Sequence, residues 1–320
     1  MIKHWKFKEV PDRLIASELA NILNVPFSFA KILVQREITS FDLAKSFFRP
    51  NIETLHDPFL MKDMKEAVER LSKAIEDVEK IMVFGDYDVD GTTSVAMMHG
   101  FIQQKTENLL YHIPDRYKEG YGLSKIGIDR AIDEGVTLII TLDCGVKAVD
   151  LIAYGKSKGI DFIVCDHHES GDELPDGFIL DPKRKDCEYP FKELSGCGVG
   201  FKLIQAYLIF TNEDPSLAFE FVDLLAISIA ADIVPMTGEN RALAFFGLQV
   251  INSNPRNGFK AIIHQQKKSI FTITDVVFII APRINAAGRM KHGNYAVELL
   301  TEMDFEAAVD FAASIEKYNS

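Results

Sequence analysis

The chain has 320 residues, 47% hydrophobic and 26% charged, with a formal net charge of −12. That length suits two domains or one large α/β domain. The acidic balance argues against a broad basic face for nucleic acid, though not against a local basic groove. There is no apolar run of about eighteen residues to span a membrane, and the opening MIKHWKFKEVPDR lacks a signal-peptide core. Cys144, Cys165, Cys187 and Cys197 form no CxxC pair, so they read as reduced thiols of a cytoplasmic protein.

Residues 1–60 read as a helical lead-in, with apolar residues at helical spacing over Leu14 to Leu23 and Phe27 to Leu33, separated by Pro26. Between Lys62 and Lys80 a charged helix carries one apolar stripe. Strands and helices then alternate: Ile81 to Phe84, a helix from Thr92, Leu109 to Ile113, a helix after Ser124, Thr137 to Leu142, a helix near Ala148, and Ile160 to Cys165. This is the pattern of an α/β fold with a mostly parallel, doubly wound sheet. Phe178 to Leu180 adds a short strand. Helices follow over Phe201 to Phe210, Pro215 to Ile233 and Asn240 to Ile251; Ile270 to Ile280 reads as strand or buried helix, and Tyr295 to Tyr318 as one amphipathic helix. The domain reading is a lead-in over 1–60, a catalytic domain over 61–255, and a linker with the start of a connecting helix over 256–320.

The chemistry gathers after the strands. Ile81 to Phe84 reads as a buried strand whose carboxyl end releases Asp86, Asp88 and Asp90 together, where open α/β sheets bind ligands. Carboxylates this close repel one another unless a cation sits among them. Two later strands run into Asp143 and into Asp166-His167-His168. A single strand-end Asp is usually a cap or turn residue, and a His pair can be a surface turn, but three successive strand ends point to a metal centre. Oxygen and imidazole donors without sulfur suit manganese or magnesium, and two such ions can clamp an in-line phosphoryl displacement. An EF-hand loop is excluded, because its twelfth position, which needs Glu, is Met97 and a strand precedes it.

The GDYDVDGTTS stretch, Asp143, Asp166-His167-His168 and Ala231-Asp232 resemble the four motifs of the DHH phosphoesterase superfamily. Within it, Ile113-Pro-Asp-Arg116 with Glu119-Gly-Tyr-Gly-Leu123, Gly196 to Lys202, Asp232 to Pro235 with Glu239-Asn-Arg241, and Pro282 to Arg289 resemble the RecJ family of single-strand-specific 5′ exonucleases. The resemblance implies that Asp88 and Asp143, with Asp86, bind one metal and that Asp90, Asp143, His167 and Asp232 bind the other. It implies that Asp166 fixes a site histidine and that His168 faces the scissile phosphate as donor or general acid. Arg116, Arg283, Asn285 and Arg289 become candidates for backbone phosphates, with an ordinary salt bridge as the alternative for Arg116. Gly196-x-Gly198-x-Gly200 is either a phosphate cradle or a tight turn against the site.

The implied function is a manganese- or magnesium-dependent phosphodiesterase acting on single-stranded DNA in repair and recombination, with other repair or single-strand-binding proteins as partners and no membrane. Two alternatives stand: a relative acting on short oligonucleotides or cyclic dinucleotides, and a non-catalytic nucleic-acid scaffold. RecJ-type chains continue into a DHH-associated domain and an oligonucleotide-binding fold, so this sequence is expected to be the N-terminal catalytic part.

Overall fold

A computed structural model of the chain describes Lys6 and residues 11–264, 266, 268–290 and 293–319, except the side chains of 287–290 and 316–319. The chain divides into two compact units, Met1–Leu55 and His56–Ser320.

In the first unit, α1 (Arg13–Leu23), α2 (Phe27–Val34) and α3 (Phe41–Phe48) follow one another. Each start has a sequence reason. Asp12 accepts the Leu14 N–H at 2.7 Å, Pro26 precedes α2, and Ser40 accepts the Leu43 N–H at 3.2 Å. The apolar stripes meet in a small core of Leu19, Ala30, Leu33, Ile38 and Ala44.

The second unit opens with α4 (Met64–Glu76) and alternates β1 (Ile81–Gly85), α5 (Val89–Gln103), β2 (Leu109–His112), α6 (Lys125–Asp133), β3 (Leu138–Leu142), α7 (Val149–Ser157), β4 (Asp161–Cys165) and β5 (Phe178–Leu180). Among the described residues these strands form one all-parallel sheet in the order β2-β1-β3-β4-β5. The fold is α/β and doubly wound, as expected. β1 and β3 are buried throughout, which is why they read as unbroken apolar runs. Met82, Phe84, Ile139, Phe162 and Val164 pack with Ile128 of α6 and Ile152 of α7 on one face. α4, α5 and α8 (Gly196–Phe210) cover the other. The chain leaves β1 towards β2 and returns to build β3 on the opposite side, so the carboxyl ends of β1 and β3 mark the switch point where such sheets bind ligands.

Beyond α8 come α9 (Val222–Ala231), α10 (Gly238–Ser253), α11 (Asn257–His264), α12 (Ile273–Asp275), α13 (Ala281–Met290), α14 (Asn294–Thr301) and α15 (Phe305–Asn319). Three local expectations need correction, and one left open between strand and helix is helical. α5 starts at Val89 rather than Thr92, because the Asp88 carboxylate accepts the Gly91 N–H at 2.9 Å and caps the helix. Pro215–Phe221 is a 3-10 turn ahead of α9 rather than part of one long helix. Ile270 to Ile280 contains no strand: α12 runs into a π-helical turn over Val276–Ile280 and on into α13. The tail is two helices, since Glu302 is extended and the Asp304 side chain accepts the Ala307 N–H at 2.8 Å to begin α15.

Candidate metal centre

Every ligand candidate reaches the carboxyl edge of the sheet by a local device. Gly91 in the first turn of α5 crosses the β1 exit so closely that a Cβ there would lie 2.4 Å from the Asp86 carbonyl oxygen. This turn aims Asp86, Asp88 and Asp90 differently. Asp86 is fully buried and its Oδ1 accepts the Gly122 N–H at 3.4 Å. The Asp88 carboxyl lies beside that of Asp143. Asp90 points towards α8, where its Oδ2 accepts the Gly196 N–H at 2.7 Å and its Oδ1 the Cys197 N–H at 3.0 Å. The glycine run is the first turn of α8, packed on the site, rather than a separate tight turn, and its N–H groups are not free to cradle a phosphate, because Asp90 occupies two of these donors and Ser195 takes the Gly198 N–H at 3.2 Å. Gly196 also abuts Asp143; a Cβ there would sit 2.5 Å from the Asp143 Cβ.

His167 Nε2 lies 3.1 Å from Asp143 Oδ1, 3.6 Å from Asp232 Oδ2 and 3.9 Å from Asp90 Oδ2. Two clusters of metal-sized spacing result, Asp143-His167-His168 and Asp90-His167-Asp232. Asp88 touches the first through Asp143, whereas Asp86 is turned towards Gly122 and Tyr121. Asp166 orients His168 rather than His167. Its Oδ1 lies 2.8 Å from His168 Nδ1 and accepts the His167 N–H at 2.8 Å, while Oδ2 accepts the Val146 N–H at 2.9 Å.

The electrostatics fit a bound cation. Burial, then the charges of Asp90 and Asp88, pushes Asp143 well above the usual carboxylate range. Burial and Asp88 raise Asp86 to about 7, and burial and Asp90 raise Asp232 to about 7, although 30% of the Asp232 side chain is exposed. Burial lowers His167, favouring the neutral imidazole a metal requires. Burial alone would raise Asp166, but its bonds to His168 and to backbone N–H groups outweigh it and hold the carboxyl below its ordinary value. Asp166 correspondingly raises His168. Asp86 Oδ2, Asp143 Oδ1 and both ring nitrogens of His167 are buried without an aligned hydrogen-bond partner among the described residues. A hard divalent cation would satisfy such atoms and relieve the repulsion.

The candidate substrate residues are distributed unevenly. Arg116 lies over the Tyr87 ring at 5.3 Å. Of its acidic neighbours in sequence, Glu119 holds His112 Nε2 at 2.9 Å and the Ser124 hydroxyl at 2.5 Å, and Asp115 accepts the Tyr117 N–H at 2.9 Å. Asn285 joins Asp88, Val89, Asp90, Ala231 and Asp232 around a cavity of about 130 Å³. Arg283 donates to the Ile279 carbonyl at 2.8 Å, and the Arg289 side chain lies outside the described residues. Sequence reasoning missed two neighbours. Tyr121 stacks edge-on between Tyr87 at 5.9 Å and His168 at 6.3 Å and hydrogen-bonds Asp86, while 54% of it faces solvent. Lys183, just past β5, lies near enough for its charge to act on His167 and Asp232. Tyr121 lay within the Glu119 to Leu123 motif without being assigned a role, and Lys183 had no signal beyond its position after a short strand.

Residues 80–229 match the DHH family, N-terminal domain. The chain is 40% identical over 98% of its length to the single-stranded-DNA-specific exonuclease RecJ of Bacillus subtilis and 31% identical over 81% to that of Thermus thermophilus. It covers 40% and 38% of those two proteins, less than half of each. Among solved structures, an exonuclease RecJ bound to manganese superposes with a TM-score of 0.75 at 30% identity, over 83% of this chain and 66% of that one. RecJ of Thermus thermophilus in complex with Mn2+ superposes with a TM-score of 0.82 at 27% identity, over 97% and 44%.

Proposed function

Because this chain belongs to the DHH family, we propose that residues 61–255 are a phosphodiesterase domain of RecJ type, which hydrolyses single-stranded DNA from its 5′ end with Mn2+ or Mg2+. The observation that carries this reading is the convergence of carboxylate oxygens of Asp90, Asp143 and Asp232 on His167 Nε2, within 3.9 Å, with Asp88 adding its charge beside Asp143. Two bound divalent ions supply Lewis-acid polarisation of a phosphate and a lowered pKa for water.

The chain's own residues do the rest. Asp88 and Asp143 would hold one ion, with Asp86 behind them, and Asp90, Asp143, His167 and Asp232 would hold the other. His168, held through Nδ1 by Asp166 and raised by it, keeps Nε2 for donation to a phosphate oxygen or to the leaving oxygen. Arg116, supported on Tyr87, and Lys183 bind backbone phosphates, and Asn285 donates into the cavity beside Asp90. Arg283 and Arg289 are assigned to backbone phosphates as well. The exposed part of Tyr121 offers a stacking platform for unpaired bases. A role in DNA repair and recombination, partnership with other repair or single-strand-binding proteins and a cytoplasmic location belong to the same proposal. Among the described residues no helix is long and apolar enough to cross a membrane.

The test is manganese-dependent release from a single-stranded oligonucleotide labelled at either end, with wild type and Asp143→Ala. Release from the 5′ end, reduced more than about 100-fold by the substitution, is expected. Turnover of dinucleotides alone would move the assignment to small substrates, and binding without turnover would leave a scaffold.

A further inference from the structure

We propose that Ser228 is a positioning residue that commits Asp90 to the metal through one oxygen, an inference that rests on Asp90 being a ligand. Ser228 is fully buried in the middle of α9, a helix otherwise built there from Leu, Ala and Ile. A buried serine in such a helix usually turns its hydroxyl back on the preceding turn. Here it leaves the helix instead and meets Asp90 Oδ1 at 2.6 Å.

The direction of the hydrogen bonds is fixed by counting protons. The Gly198 N–H donates to Ser195 Oγ at 3.2 Å, and Ser195 Oγ lies 2.6 Å from Ser228 Oγ. A hydroxyl has one proton, and an ionised carboxylate only accepts. Ser228 therefore donates to Asp90, and Ser195 donates to Ser228. The relay runs from the first turn of α8 through two buried hydroxyls to Asp90, and such chains reinforce each bond.

The two oxygens of Asp90 are left unequal. Oδ1 accepts from Ser228 at 2.6 Å and from the Cys197 N–H at 3.0 Å, with the Ser94 hydroxyl, bonded mainly to the Asp90 carbonyl, farther away at 3.4 Å. Among the described residues Oδ2 accepts the Gly196 N–H alone, at 2.7 Å, and faces His167 Nε2 at 3.9 Å. Ser228 thus locks the carboxylate torsion so that Oδ2 is presented to the site. Asp232 follows Ser228 by four residues at the end of α9, so one helix both holds Asp90 and supplies a second ligand.

The test measures Mn2+ binding to substrate-free protein by electron paramagnetic resonance, with melting in a chelator as the check on folding. Wild type should bind saturably. Ser228→Ala should melt normally in the chelator yet bind Mn2+ about 10- to 100-fold more weakly, the range for groups that orient a ligand. Ser228→Thr, which keeps the hydroxyl, should restore most of the affinity. Wild-type affinity in folded Ser228→Ala overturns the proposal, and so does equal weakness in the Ala and Thr variants, which would indicate shape rather than the hydroxyl. Should Ser228→Ala fail to fold, Ser228→Cys, close in shape and a poor donor, replaces it with the same two outcomes. Absence of saturable binding in wild type would instead overturn the metal-centre reading, and this inference with it.

Discussion

Asp143 sits in the left-handed backbone region at φ +59°, a conformation that costs a non-glycine residue on the order of 1 kcal/mol. The tight exit from β3 turns its carboxylate into contact range of both Asp88 and His167, and Gly196 leaves room for it. Asp181 closes β5 in the same edge, fully buried, with Oδ1 accepting the Lys183 N–H at 2.7 Å and Oδ2 without a partner. Burial raises it to about 7, the Lys183 N–H opposes the shift, and the charge of Asp166 adds to it. A carboxyl whose pKa rises on folding stabilises the fold below its unfolded value, and that contribution is lost as pH climbs through its folded value. Asp181→Asn keeps the acceptor and never ionises. In urea titrations with chelator, its stability relative to wild type should therefore increase between pH 5 and pH 8, by on the order of 1 kcal/mol. An equal difference at the two pH values would show that Asp181 does not titrate in this way.

Elements whose signals lie in their own residues were legible in the sequence. β1, β3 and β4 are apolar runs because both faces of the sheet are covered, and Ile81 to Phe84, Thr137 to Leu142 and Ile160 to Cys165 announced them. Boundaries set by a single side chain were not: the Asp88 cap starts α5 early, and Asp304 splits the tail. The π-helical turn at Val276–Ile280 carries β-branched residues that read equally well as strand. The end of α4 offers a direct test at this scale. The Glu79 N–H bonds the Ala74 carbonyl at 2.8 Å and the Val78 N–H bonds that of Ile75 at 3.2 Å, a helix-ending pair that places Val78 at φ +53°. Val78 is β-branched and 63% exposed, so it strains the backbone and returns little packing. Val78→Gly should raise stability by about 1 kcal/mol, read from the denaturant midpoint at unchanged slope. A loss of stability would mean that the valine side chain contributes more than its conformation costs.

Across the whole molecule, the site forms where the sheet changes direction. β1 and β3 are neighbours with connections leaving on opposite sides, and β4 and α9 bring His167 and Asp232 to the same edge. The strand-end carboxylates were visible in the sequence because each follows its own apolar run. Ser228, Tyr121 and Lys183 were not, since only tertiary folding sets them beside Asp90, Asp86 and His167. The formal charge of −12 includes these crowded carboxylates, and two divalent ions would offset about four charges where repulsion is greatest. The decisive measurement is anomalous diffraction at the manganese edge from crystals of this chain grown with Mn2+. Strong peaks are expected within ligand distance of Asp143, with His167, Asp90 and Asp232 around one and Asp88 at the other. Crystals equilibrated with Mn2+ that show no peak at His167 and Asp143, or peaks only on surface carboxylates, would contradict the metal-centre reading.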